Sequence, residues 1–143
     1  MPACNYSHFH SHLHPIAAVG FGTWQDKEAQ EDAVLEALKA GYRHIDTARI
    51  YGTEPAVGKA IKQSKIPRSE IFITTKLWNN SHHPEDVEKA LDASLKDLGV
   101  DYLDLYLMHW PSPFARGDDM FPKKDGKTQT GNTNYVDVRP FIP

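Results

Sequence analysis

Residues 41–58 read GYRHIDTARIYGTEPAVG, and this stretch decides the fold. Gly41 suits the left-handed position that ends a helix, and residues 43–48 read as a strand that carries Asp46 near its end. Pro55 then marks the start of another helix behind a short loop. The stretch therefore predicts a strand between two helices. In folds that alternate strands and helices, the loop behind a strand end is where the chemistry lies.

The same alternation continues on both sides of this stretch. Apolar, β-branched or aromatic segments predict three further strands, and apolar residues at helical spacing predict three helices. The predicted strands are residues 16–21, 43–48, 71–76 and 103–109, and the predicted helices are residues 28–40, 55–65 and 84–98. The order is therefore strand and helix in turn, with about 30 residues in each unit, as in parallel βαβ units.

Regular alternation of this kind predicts a parallel sheet with right-handed helical crossovers. Four parallel strands fit either half of an eight-stranded (β/α)8 TIM barrel or a small open doubly wound sheet. The phosphate-binding fingerprint of the open sheet needs three glycines, whereas the segment after the first strand offers only Gly20 and Gly22 before charged residues follow. We therefore expect a half-barrel of four strands and three helices.

The first 15 residues are rich in histidine. His8, His10, His12 and His14 alternate, so an extended segment would place them on one face, where they could capture nickel or zinc. A barrel metallohydrolase would use two of these histidines, but such ligands follow an apolar strand and the residues before them do not form one. We expect a solvated terminus and no metal ligands.

Residues 16–143 then form the predicted half-barrel domain, and its last part differs in composition. Residues 111–143 are rich in proline, glycine and asparagine and have no apolar period. We expect this tail to be mostly loop.

Composition excludes several classes of function. With 16 Lys+Arg against 19 Asp+Glu, the net charge is −3 and the pI is about 6.2, so no basic surface is expected for a nucleic-acid partner. The single cysteine, Cys4, rules out an internal disulfide framework and fits a reducing compartment. No apolar run approaches the ~20 residues that span a bilayer, and the amino terminus lacks a secretory pattern. We expect a cytoplasmic protein without a membrane partner.

Three predicted strands carry ionisable residues at or near their ends, namely Asp46, Lys76 and His109, and Tyr51 follows the first of these strands. Since the carboxyl ends of parallel strands meet at one mouth, we expect these side chains to converge. A Lys76 ammonium would favour the phenolate of Tyr51, and Asp46 would hold that ammonium charged and oriented. Tyr51 then becomes a proton donor near neutral pH, while a neutral His109 would orient a substrate carbonyl.

Three tryptophans fall at or just after predicted strand ends. Trp24, Trp78 and Trp110 would therefore wall the same mouth with aromatic surface and exclude water from it.

The quoted stretch resembles the signature of the aldo-keto reductases, with Glu54 and Gly58 at the expected intervals behind it. The motif from Thr74 to Trp78 and the motif LYLMHWP at residues 105–111 resemble other amino-terminal landmarks of that family. The resemblance extends from residue 16 to residue 137. The loop of residues 113–134 is most similar to that of fungal members of the glycerol dehydrogenase and glyceraldehyde reductase type.

The resemblance implies a (β/α)8 barrel that uses NADPH or NADP. It implies that the catalytic residues are Asp46, Tyr51, Lys76 and His109. By the same resemblance, the cofactor-binding residues are Gly22, Thr23, Trp24 and Asp46, and the substrate-binding residues are Trp24, Ile50, Trp78 and Trp110.

The implied function is the reversible reduction of aldehydes and ketones, with glyceraldehyde, a sugar-type carbonyl or the matching polyol as substrate. Residues 1–14 do not resemble the usual amino-terminal hairpin of the family, and the resemblance ends before four further strands and the loops that hold most of the cofactor. We therefore expect weak or no activity from the chain alone. The alternative is a non-catalytic truncation product that pairs its open sheet edges with another copy.

Overall fold

The computed structural model describes residues 8–10 and 15–131. The strands are β1 (His8–His10), β2 (Pro15–Ala17), β3 (Phe21–Gly22), β4 (His44–Asp46), β5 (Phe72–Leu77), β6 (Leu105–Met108), β7 (Lys123–Lys124) and β8 (Lys127–Thr128). The α-helices are α1 (Gln30–Lys39), α2 (Glu54–Ser64) and α3 (Pro84–Leu98).

The central sheet contains β3, β4, β5 and β6 in chain order, and every neighbouring pair is parallel. One helix connects each strand to the next. The predicted parallel sheet of four strands and three helices is confirmed. In register, Gly22 pairs with Asp46, Asp46 with Thr74, and Lys76 with Leu107, so the carboxyl ends of the strands lie along one edge.

The three helices bury their apolar stripes against one face of this sheet. The main core cluster is Val34, Leu38, Ile45, Val57, Ala60, Ile61, Ile71, Ile73 and Leu98. Pro84 begins α3 and Gly99 ends it in the left-handed conformation, as the sequence predicts. No helix in the described part of the chain is long and apolar enough to cross a membrane.

The predicted first strand, residues 16–21, is wrong as a single element. The chain places β2 antiparallel to β1, and only β3 joins the parallel sheet. Gly20 precedes β3, and a Cβ atom at this position would lie 2.6 Å from Nδ1 of His44. The lack of a side chain at Gly20 is therefore required where the chain passes this imidazole.

The expectation of a solvated amino terminus stays a prediction, but His8–His10 forms strand β1, which the sequence did not predict. Its register pairs Phe9 with Ile16 in this short two-stranded sheet. Residues 1–7 and 11–14, with the side chains of the four alternating histidines, lie outside the described residues. The expectations about metal capture therefore stay predictions.

The expected loop of residues 111–143 contains one regular unit within its described part. Strands β7 and β8 pair antiparallel around Asp125 and Gly126, which have φ angles of 51° and 75°. An Asp-Gly turn with two positive φ angles is the preferred turn of a two-residue β-hairpin. The Asp-Gly pair is the signal that the sequence reading did not use.

We predict that Gly58→Ala destabilises the protein. In a helix, alanine is normally favoured over glycine by about 0.5–1 kcal/mol. At Gly58 in α2, however, the added Cβ would overlap the carbonyl oxygen of Leu98 at the end of α3. Overpacking typically costs about 1–3 kcal/mol, so the steric cost exceeds the gain in helix propensity.

Urea unfolding followed by circular dichroism measures this change in stability. Gly22→Ala is the matched control, because a Cβ at Gly22 meets nothing within 4 Å. A Gly58→Ala variant that is as stable as the unmodified protein would contradict the proposed close contact.

Candidate active site

The candidate site lies at the edge where the parallel strands end. Asp46 is the last residue of β4, Lys76 is the penultimate residue of β5, and His109 directly follows β6. Tyr51 closes a 3-10 turn, Arg49–Tyr51, in the loop behind β4. The structure therefore brings these four predicted residues to the same end of the sheet.

Lys76 is held by two hydrogen bonds from its ammonium group. Its Nζ donates to Oδ1 of Asp46 at 2.6 Å and to the backbone oxygen of Thr47 at 2.8 Å. Only 14% of the Lys76 side chain is exposed. Since an ammonium has three donors, one N–H remains for the mouth, and the Nζ lies 5.2 Å from the centroid of the Tyr51 ring.

His109 faces the same tyrosine. The two ring centroids are 5.5 Å apart and the rings are nearly perpendicular, at 88°. Burial lowers the pKa of His109 from its ordinary value of 6.5, the positive charge of Lys76 lowers it further, and the negative charge of Asp46 acts in the opposite direction. The imidazole is therefore neutral at pH 7 and has one N–H donor and one acceptor nitrogen.

Aromatic rings surround this pair. Trp24 lies 4.8 Å from Tyr51, and Trp78 lies 5.1 Å from His109 and 5.6 Å from Trp110, measured between ring centroids. Trp78 is buried, whereas Trp24 and Trp110 are 62% and 51% exposed. The predicted aromatic wall is thus assembled from three loops, with one ring fixed in the protein and two at the surface.

Two of the predicted cofactor-binding residues, Gly22 and Thr23, differ in which of their atoms a cofactor could reach. Gly22 lies beside Asp46, and the space where its Cβ would be is empty. Thr23 is fully buried, and its hydroxyl donates to Oγ1 of Thr47 at 2.8 Å and lies 3.2 Å from Oγ1 of Thr53. The backbone N–H of Thr23 donates to the backbone oxygen of Asp46 at 3.0 Å, so only the backbone carbonyl of Thr23 is left for a cofactor.

Ile50, predicted to bind substrate, lies between Arg49 and Tyr51 in the 3-10 turn and is half-buried. Its neighbour Tyr51 is the residue that meets Trp24 and His109.

The sequence reading missed a buried carboxyl group behind the mouth. Glu54, the first residue of α2, is 1% exposed and accepts hydrogen bonds from Oγ1 of Thr75 at 2.7 Å and Oγ of Ser94 at 3.3 Å. Burial raises the pKa of Glu54, and its two hydrogen bonds act against that rise. Glu54 thus joins α2, β5 and α3, although the sequence marks it only as part of a motif.

Two phenylalanines were also missed. Phe114 and Phe121 lie with their ring centroids 5.6 Å and 5.4 Å from that of Trp78, and they extend the aromatic wall. Both belong to the segment that was expected to be loop without an assigned role.

Comparisons with known proteins show what the chain is similar to in sequence and fold. The model of the Aldo/keto reductase family matches residues 18–139. Aldo-keto reductase family 1 member A1 of Xenopus tropicalis is 54% identical over 130 residues, which cover 86% of this chain and 40% of that protein. The D/L-glyceraldehyde reductase of Hypocrea jecorina is 54% identical over 131 residues, which cover 87% of this chain and 40% of that protein.

Among solved structures, the aldose reductase of Schistosoma japonicum matches with a TM-score of 0.80 and 42% identity, and the match covers 83% of this chain and 42% of that chain. The chain therefore spans about 40% of the length of the curated relatives it matches. These findings confirm the resemblance to the family and the partial (β/α)8 barrel.

We predict that His109 makes the protein less stable in mild acid. Because the pKa of His109 is lowered in the folded protein, the unfolded chain binds more protons as the pH falls below 6.5. Above pH 6.5 this proton uptake costs no stability. The free energy of unfolding then decreases as the pH falls from 6.5 toward the lowered pKa of His109 in the folded protein. Urea unfolding at about pH 7.5 and about pH 5.5 should show a smaller loss in His109→Gln than in the unmodified protein.

The contribution of His109 is the difference between the stability lost by the unmodified protein and the stability lost by His109→Gln over the same change in pH. Burial also lowers the pKa of His44, and it raises the pKa of Glu54, which acts on stability in the opposite direction. These two groups are present in both proteins. Equal losses in the variant and the unmodified protein would show that His109 does not contribute.

Proposed function

This chain belongs to the aldo/keto reductase family, and on that premise we propose that it carries the proton-donating residues of an enzyme that reduces aldehydes and ketones with NADPH. The observation that supports this most directly is the Asp46–Lys76 ion pair beside Tyr51, whose ring also contacts His109. The chain spans 40% of its curated relatives. We therefore expect weak or no turnover from the chain alone.

NADPH would supply a hydride to the carbonyl carbon when it is bound. The residues that would hold it are Gly22, Thr23 through its backbone carbonyl, Trp24 and Asp46. The open space at Gly22 and the exposed ring of Trp24 fit this role, because a flat cofactor ring needs close approach to backbone and an aromatic neighbour.

Tyr51 would donate its phenolic proton to the carbonyl oxygen as negative charge develops there. The Lys76 ammonium, 5.2 Å from the centroid of the tyrosine ring, favours the phenolate that remains. Asp46 holds that ammonium in place by accepting a hydrogen bond at 2.6 Å. The lysine and the aspartate therefore act on the substrate only through the tyrosine.

His109 would orient the substrate. A neutral imidazole can donate one hydrogen bond to the carbonyl oxygen, and its lowered pKa keeps it neutral. Trp24, Trp78 and Trp110, with Ile50, would line the substrate site. Their apolar surfaces exclude water, which strengthens the electrostatic interactions between the charged groups at the mouth.

The substrate class that we propose is a small hydroxylated carbonyl such as glyceraldehyde or a sugar-derived aldehyde, with the matching polyol as substrate of the reverse reaction. The relative named D/L-glyceraldehyde reductase, at 54% identity, supports this choice. We further propose a cytoplasmic location, because the single cysteine fits a reducing compartment.

The experiment uses the whole chain by itself and the same chain joined to the carboxyl-terminal remainder of the D/L-glyceraldehyde reductase. NADPH oxidation is followed with glyceraldehyde. We expect background activity for the chain alone and turnover for the fusion. In the fusion, Tyr51→Phe should reduce kcat by at least about 100-fold, because general acid catalysis contributes that much or more.

Tyr102→Phe in the same fusion is the matched control. Tyr102 is 44% exposed, and its ring, which the substitution preserves, contacts Arg68. This variant should keep full activity. A fusion that reduces glyceraldehyde equally well with Tyr51→Phe would falsify the role of Tyr51.

A second candidate function is pairing through the open edges of the sheet. Within the described residues, β3 and β6 each pair on one side only. Leu107 in β6 is in register with Lys76, which places its side chain on the face away from the helices, and it is 40% exposed. An unpaired edge with an exposed apolar residue favours association with another chain.

We predict that the chain self-associates and that Leu107→Lys reduces this association. The lysine places a charge on the exposed side of the edge strand, where it disfavours pairing. Sedimentation velocity over a range of concentrations measures the oligomeric state. Thr128→Lys, on an exposed strand of a different sheet, is the control. A stable monomer at all concentrations would rule out this second function.

A further inference from the structure

The segment Arg116–Phe121, which we call the wall segment, lies between the start of α3 and the buried ring of Trp78. Its residues belong neither to a strand nor to a helix. Its far end brings the ring of Phe121 to a centroid distance of 5.4 Å from Trp78. The position of the wall segment therefore affects the shape of the aromatic mouth.

One end of the wall segment is tied to α3 by a fork of charged hydrogen bonds. Nε of Arg116 donates to Oδ2 of Asp86 at 2.5 Å, and Nη2 donates to Oδ1 of Asp86 at 2.8 Å and to Oε2 of Glu85 at 3.2 Å. Bidentate pairing of this kind fixes direction as well as distance. Both acids lie in the first turn of α3, where the helix dipole favours negative charge.

The rest of the wall segment is tied to the loop behind β5. Nδ2 of Asn80 donates to the backbone oxygens of Gly117 at 2.8 Å and Asp119 at 3.3 Å. Nε1 of Trp78 donates to the backbone oxygen of Met120 at 2.6 Å. The indole hydrogen bond of Trp78 therefore depends directly on where the wall segment lies.

Behind the wall segment is a cavity of about 490 Å³. Gly117, Asp118 and Met120 line it on the side of the segment, and Lys89 and Ala93 line it on the side of α3. Since no side chains fill this space, close packing does not hold the segment against α3. On that side the hydrogen bonds of Arg116 hold it, whereas on the other side the ring of Phe121 and the hydrogen bonds of Trp78 and Asn80 do so.

We propose that Arg116 is a positioning residue: its pairing with Asp86 and Glu85 holds the wall segment against α3 and so keeps the indole of Trp78 hydrogen-bonded at the mouth. The inference rests on the proposed function only in taking that mouth as the substrate site. Arg116 acts through the wall segment and touches none of Asp46, Tyr51, Lys76 or His109.

Nuclear magnetic resonance of the ¹⁵N-labelled whole chain tests this without any assay of turnover. The chain has three tryptophans and so gives three indole N–H signals, of which Trp78→Phe identifies one. In Arg116→Ala, the Trp78 signal should shift and its hydrogen exchange should accelerate by about tenfold, the equivalent of one ordinary hydrogen bond. The signal of the exposed Trp24, whose ring meets Tyr51, should stay in place.

Lys39→Ala is the matched control, because it removes an exposed ion pair with Glu36 on another helix. It should leave all three signals unchanged. Asp86→Asn should reproduce most of the effect of Arg116→Ala, because only the contact with Glu85 remains, and the double variant should show no change beyond that of Arg116→Ala. Arg116→Lys should restore the Trp78 signal only in part, because lysine lacks the planar fork.

Two outcomes overturn the proposal. One is an unchanged Trp78 signal in Arg116→Ala, and the other is an equal movement of all three signals, which indicates a general structural change. Failure of the proposed function would be seen differently, as turnover that survives Tyr51→Phe in the fusion. The indole measurement tests the role of Arg116 whatever the result of that assay.

Discussion

The candidate site depends on the ion pair between Lys76 and Asp46, with Nζ 2.6 Å from Oδ1. The lysine side chain is largely buried, and an ammonium in that position requires a carboxylate and hydrogen-bond acceptors, since leaving it unpaired is strongly unfavourable. Asp46 and the backbone oxygen of Thr47 provide them from the neighbouring strand and the loop behind it. The parallel register of β4 and β5 is therefore what holds the charge beside Tyr51, and any shift in that register would leave the lysine unpaired.

The same strand also supports the site from behind. Successive side chains of β5 point to opposite faces, so Thr75 meets Glu54 between the helices while Lys76 meets Asp46 at the mouth. The two carboxyl groups are in different environments: Glu54 is fully buried between helices and its pKa is raised, whereas Asp46 is partly exposed at the mouth and paired with an ammonium. Strand β5 therefore contacts the buried Glu54 on its helix face through Thr75 and the partly exposed Asp46 at the mouth through Lys76.

The sequence was sufficient for the parts of the fold that follow a local period. Apolar spacing and the strand-helix order were enough to predict the parallel sheet, and with it the meeting of Asp46, Lys76 and His109 at one edge. It was insufficient where contacts between distant residues decide the outcome. The close approach of Gly20 to the imidazole of His44 joins residues 24 positions apart, and the fork on Arg116 joins residues 30 positions apart. Neither contact leaves a local pattern in the sequence, because the partners lie far apart along the chain.

The two faces of the sheet differ in how fully the described residues cover them. The covered face holds the apolar core, and the other face carries the residues of the candidate site. The helix face holds a closed apolar core contributed by α1, α2 and α3. On the other face, His44 lies 3.0 Å from Oγ1 of Thr74 through its Nε2, and Lys76 and Leu107 follow toward the mouth. The residues proposed to donate the proton are therefore positioned by a core that this chain forms by itself. Since that core lies behind them, the geometry of the proposed proton donor depends on the packing of α2 and α3. The open space in front of Gly22 would leave the proposed cofactor to be held mainly by backbone and exposed aromatic surface.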